Sequence, residues 1–146
     1  MGDLAKEIQS KFKSQKVKAL INIKYTANWL SNQEVEFFKG YGISPQQYNV
    51  LRILRGAGER MKVQIVKERM IERSPNATRL MDKLLSKSLI YRSRCDEDRR
   101  VVYVEITKEG LRLLSEIDEQ SKGLSLLHNI SEDEARMLSD LLDKIR

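Results

Sequence analysis

The chain has 146 residues, 40% apolar and 33% charged, which is enough for one buried core and too apolar for a disordered polymer. One cysteine and one histidine exclude an internal disulfide, paired-cysteine metal clusters and the His-Glu-x-x-His zinc pattern, and no apolar run is long enough for a membrane-spanning helix. The net charge of +6 falls wholly within residues 60–100, which carry twelve basic and six acidic side chains, so the remainder is neutral. A charge this localised is the footprint expected for a polyanion, with an ordinary solvated face as the alternative. The N-terminus is charged and lacks an apolar signal-peptide centre, so a reducing cytoplasm is expected.

Residues 4–38 read as a long helix, continuous or broken, with Leu4, Ile8 and Phe12 and then Leu20, Ile23, Ala27 and Leu30 at helical spacing. Gly40 and Gly42 stop it. Ser44-Pro45-Gln46-Gln47 then announces a new helix, with Ser44 as N-cap, Pro45 at N1 and Gln47 placed to bond back to the cap. Tyr48, Leu51 and Leu54, or Val50 and Leu54, face inward, and Gly56 and Gly58 end the helix near Arg55. A short helix follows at about 63–70, with Val63, Val66 and Met70 apolar and Lys62 as a poor cap.

Ser74-Pro75 repeats the cap-plus-proline signal and opens a helix to about Lys87. Ala77, Leu80, Met81, Leu84 and Leu85 share its apolar face, opposite Pro75, Asn76, Arg79, Asp82 and Lys83. The period then changes to two. Ile90–Cys95 and Val101–Ile106 form a hairpin across the turn Asp96-Glu97-Asp98. Thr107 caps a helix striped by Leu111, Leu114 and Ile117, continuing to Leu124 and Leu127. Ser131-Glu132-Asp133-Glu134 is a capping box for a last helix lined by Ala135, Leu138, Leu141 or Leu142, and Ile145. The fold is therefore mainly α with a small β-hairpin wing (α+β), in the order of a winged helix-turn-helix.

Thr78-Arg79-Leu80-Met81-Asp82-Lys83-Leu84, the run Asp98-Arg99-Arg100 leading to Val104-Glu105-Ile106-Thr107 and Gly110, and Ile43–Leu51 resemble the MarR family (multiple antibiotic resistance regulators) of bacterial winged-helix transcription factors. Ser88 stands where the family usually has glycine, Lys62 where Ser or Thr usually caps, and Lys67 where a small residue is customary, a lysine that either points outward to meet phosphate or marks a tilted helix. The resemblance implies one domain over 1–146, with a DNA-binding winged part at 43–107 and dimerisation helices at 4–38 and 108–146. It implies a homodimer on palindromic double-stranded DNA and a ligand-responsive repressor, while the residues themselves, with no phosphate loop, dinucleotide motif, metal cluster or nucleophile beside a base, lead to the expectation of no cofactor, no metal and no catalysis. The apolar stripes at both chain ends agree with a dimer, since a monomer offers little to cover them.

Asn76 and Arg79 are the candidate base readers of the recognition helix; Thr78 and Lys83 suit phosphate or a thymine methyl, and Arg73, Ser74 and Pro75 lie at its start. In the wing, Arg100 is the candidate for the minor groove, held by a bidentate pair with Asp98, while Arg92, Arg94 and Arg99 suit phosphate. Arg79 with Asp82, and Arg100 with Asp98, could equally be plain surface pairs. Tyr25, Trp29, Tyr48 and Met81 are candidates to line a pocket for a small aromatic or phenolic effector, or else plain core. A passive strand position is the better reading of Cys95 than a redox sensor, and His128 reads as a surface or interface residue. The competing reading of the whole chain is a winged-helix module that binds protein and touches DNA only nonspecifically.

Overall fold

The computed structural model describes residues 2–73, 75–121 and 126–146. Ser74 at the expected cap and Leu124 of the expected stripe lie outside the described residues. The chain divides into two compact units, Met1–Leu114 and Ser115–Arg146. The division falls within the helix that follows the hairpin, not at its start.

The N-terminal region is not one helix. A single turn, α1 (Leu4–Glu7), is capped by Asp3, and α2 (Gln15–Lys39) is capped by Ser14, whose hydroxyl accepts from the Val17 N–H. Gln9 between them has φ +51°, which no helix carries. The apolar spacing of Ile8 and Phe12 thus belongs to a connector, while two cap residues mark the true starts.

Helix α3 (Pro45–Ala57) has the full Ser44–Gln47 capping box and ends at Gly58 in the left-handed region, φ +68°. Val50, Leu51 and Leu54 form its buried face, and Tyr48 is half-buried. Met61–Lys62 make a two-residue strand, β1, before α4 (Val63–Arg69). Recognition helix α5 begins at Ala77, two residues after the expected start, and ends at Ser86. Pro75 and Asn76 form a turn before it. Ala77, Met81 and Leu84 are buried, as the wheel required.

β2 (Ile90–Arg94) and β3 (Val102–Ile106) pair antiparallel with Arg92 opposite Val104. β1 adds to the other side of β3, Met61 opposite Val104 and Lys62 opposite Tyr103. The expected hairpin is therefore part of a three-stranded sheet in the order β1-β3-β2. Two residues are too few to display a period in the sequence.

The C-terminal end of α5 is a Schellman turn: Ser88 N–H donates to the Leu85 carbonyl and Leu89 N–H to that of Leu84. Ser88 sits at φ +58°, which explains the glycine customary there. The Thr107 hydroxyl donates to the Ser88 carbonyl at 2.7 Å and accepts the Gly110 N–H at 3.0 Å at the start of α6 (Lys108–Ser121). Gly110 has no alternative, because a Cβ there would lie 2.5 Å from the Leu89 carbonyl oxygen.

In the second unit, α7 (Glu132–Asp143) has the Ser131–Glu134 capping box and no buried residue. Met137, Leu138, Leu141 and Ile145 are 45–68% exposed.

Relieving the left-handed serine is a direct test of the α5 terminus. Ser88→Gly should raise the unfolding free energy by about 0.5–1 kcal/mol in urea denaturation. An unchanged or lowered value would contradict this assignment.

Candidate nucleic-acid interface

Burying Ala77, Met81 and Leu84 turns the opposite face of α5 to solvent, where Thr78, Arg79 and Lys83 are exposed. Asn76 is the N-cap by position, and its side chain makes no capping bond. Pro75 and Arg73 are exposed just before it. Arg79 makes no hydrogen bond or ion pair among the described residues, so the surface pair with Asp82 does not form.

Asp82 engages the wing instead. Arg92 Nη1 donates to Asp82 Oδ1 at 2.5 Å, tying β2 to the recognition helix. Arg92 thereby has an internal partner where a phosphate contact was expected. At the wing tip one Asp98 oxygen accepts both the Arg100 N–H at 3.0 Å and Arg100 Nε at 3.3 Å. This replaces the expected bidentate carboxylate pair, since the second carboxylate oxygen plays no part. The Arg100 side chain remains 94% exposed. Arg94 Nη1 reaches the Arg99 carbonyl at 3.5 Å, and the tip is closed by Cys95 N–H to the Val101 carbonyl at 2.9 Å.

A groove of about 480 Å³ lies between α4, α5 and the wing. Lys62, Lys67, Arg92, Arg94 and Arg100 line it together with Gln64, Thr78 and an apolar floor that includes Met81. Sequence reasoning assigned no role to Lys62 or Gln64. Lys62 falls at a cap position and Gln64 carries no charge, so neither type nor spacing announces their place in the groove.

The turn that delivers α5 is pinned from α3. Asn49 Oδ1 accepts the Ile71 N–H at 2.9 Å, and Gln46 Nε2 donates to Glu72 at 3.0 Å. These positioning residues were also missed, although an asparagine inside a helix is a signal that its side chain bonds elsewhere.

The four residues expected to share an effector pocket are not brought together. Tyr25 and Trp29 line a cleft beside α1, where the Glu7 carboxylate bonded to the Tyr25 hydroxyl raises that hydroxyl's pKa. Tyr48 lines a different cleft of about 480 Å³ with Glu34, Phe38, Ile71 and Glu72, its ring 4.3 Å from that of Phe38. There burial, and secondarily the charge of Glu72, hold the Glu34 carboxyl above its ordinary range. Met81 is 2% exposed and belongs to the core. Residue type suggested all four, and helical spacing could not say which faces meet.

The MarR family model matches residues 43–102, the segment that contains the groove, the recognition helix and most of the wing. A MarR transcription factor from Planctomyces limnophilus has 33% identity and a TM-score of 0.71, over 91% of this chain and 98% of that one. The chain belongs to the MarR family. Such proteins are DNA-binding transcriptional regulators. The regulator MhqR of Bacillus subtilis is 29% identical over 72% of this chain and 73% of its own length. A mutant MarR of E. coli complexed with operator DNA has the same fold, with 24% identity and a TM-score of 0.74 over 99% of both chains. Within the MarR fold, no helix among the described residues is long and apolar enough to cross a membrane.

If Asn49 fixes the approach to α5, Asn49→Ala should cost about 0.5–1 kcal/mol in urea unfolding, the worth of one solvent-accessible hydrogen bond. A stability equal to the parent chain's would remove this role.

Proposed function

We propose that the chain is a repressor that binds a palindromic operator as a homodimer and responds to a small aromatic ligand. The observation that carries the DNA reading is the exposed face of α5, with Asn76, Thr78, Arg79 and Lys83, beside a wing whose Arg100 is solvated. Arg79 is a base reader, since a guanidinium matches the two acceptors of a guanine edge. Lys83, Arg94 and Arg99 meet phosphates. Arg100 enters the minor groove, its direction biased by Asp98.

The dimer reading rests on apolar side chains left uncovered on elements outside the winged part. Leu20 and Val35 of α2 are 55% and 47% exposed, and the stripe of α7 is exposed to a similar degree. A second copy supplies the same surface in return, which gives a twofold assembly and two recognition helices. The operator-bound MarR of E. coli supports an operator as the target. The Tyr48 cleft supports ligand response, because an occupant touching Ile71 and Glu72 would act on the turn that carries α5. Such a ligand shifts DNA affinity only by preferring one placement of that turn.

Selection of duplexes from a random pool, followed by fluorescence anisotropy, tests the DNA reading. Arg79→Ala should narrow the gap between selected and random duplex by roughly 1–3 kcal/mol, while Arg100→Ala should weaken both more evenly. Equal affinity of the parent chain for selected and random DNA would overturn specific recognition and leave the protein-binding module as the better account.

A further inference from the structure

We infer that the groove between α4 and the wing is a seat for the phosphate backbone of duplex DNA, with Lys62 and Lys67 as its cations, each neutralising one phosphate. The inference rests on the DNA reading above and assigns two residues to it.

Partner by partner, the groove's cations leave these lysines. Arg92 is engaged by Asp82, Arg100 by Asp98, and Arg94 by the Arg99 carbonyl. No carboxylate is among the residues lining the groove. Lys62 and Lys67 make no hydrogen bond or ion pair among the described residues. Their charge is therefore uncompensated in the DNA-free chain.

The surroundings favour an anion over solvent. Lys67 is half-buried and lines the groove, so part of its length is already laid against the protein before an anion arrives. The floor of Val63, Met81 and Val102 lowers the local dielectric, which strengthens attraction to an incoming phosphate. Thr78 and Gln64 supply neutral donors at the same wall. A lysine is a flexible point charge, suited to a phosphate and poorly suited to reading a base edge.

The location argues for DNA as the source of that phosphate. Thr78 opens the recognition helix and Arg100 ends the wing, so the groove spans the gap between the two reading elements. A strand that passes from the major groove at α5 to the minor groove at the wing carries its backbone across this gap.

The test is the salt dependence of anisotropy titrations on the selected duplex and on random DNA. Each neutralised phosphate contributes about 0.9 to the logarithmic salt slope, so Lys62→Gln with Lys67→Gln should reduce the slope by about 2. Over a fourfold rise in salt the parent should then lose about twelvefold more affinity than the double variant. The ratio of selected to random affinity should stay the same. Lys67→Arg should retain the parent slope, and Lys67→Met, which keeps the apolar stem, should lose about one unit. If the double variant fails to fold, Lys62→Gln alone should lose about one unit, since Lys62 is exposed. A slope unchanged in folded variants overturns the seat, as does displacement of inorganic phosphate with no effect on DNA. A parent chain without sequence preference would overturn specific recognition, yet the slope on random DNA would still decide the seat.

Discussion

The Thr107 side chain is 5% exposed, and its hydroxyl serves as both donor and acceptor. It closes the left-handed end of the recognition helix at Ser88, ends the wing strand, and caps α6 through Gly110. Three elements thereby take their directions from one buried atom. A buried hydroxyl left without either partner costs about 1–3 kcal/mol, so the joint is held firmly. The close approach of Gly110 to the Leu89 carbonyl is the steric side of the same junction. Every side chain on the reading face is aimed from here, at one end, and from the Asn49–Ile71 bond at the other.

Electrostatics then divides the cations between structure and ligand. Arg92 is committed to Asp82 and binds the wing stem to α5. Arg60 lies 4.4 Å over the Tyr103 ring, on the outer side of the sheet. Arg79, Lys62 and Lys67 have no such commitments among the described residues. An exposed pair such as Arg92–Asp82 contributes little to stability, so its main consequence is geometric. The free cations are the ones that can exchange condensed counterions for protein contacts when DNA binds.

Much of this was legible in the sequence, and the physical reasons are specific. The capping boxes at Ser44 and Ser131 are local, so residue types three apart announce them. The buried face of α5 follows from its period. The confinement of the net charge to 60–100 needs only counting. What escaped depends on contacts distant in sequence. Helix α5 starts at Ala77 because Pro75 and Asn76 turn, and Asn76 makes no side-chain capping bond. The strand at Met61–Lys62 exists only because β3 offers an open edge. Spacing offers Asp82 a partner one turn away at Arg79, whereas the fold supplies Arg92 from β2. Tyr48 and Met81 have the periodicity of inward faces, while Tyr25 and Trp29 lie off the Leu20–Leu30 stripe and are exposed, and periodicity does not identify a neighbour.

The central claim is that the cationic face of the winged unit lies along duplex DNA in two symmetric copies. Hydroxyl-radical footprinting on a duplex selected for binding measures this directly. The account predicts two protected backbone segments per strand, centred about one helical turn apart and related by a dyad. A single unsymmetric protected segment, or uniform cleavage at saturating protein, would contradict it.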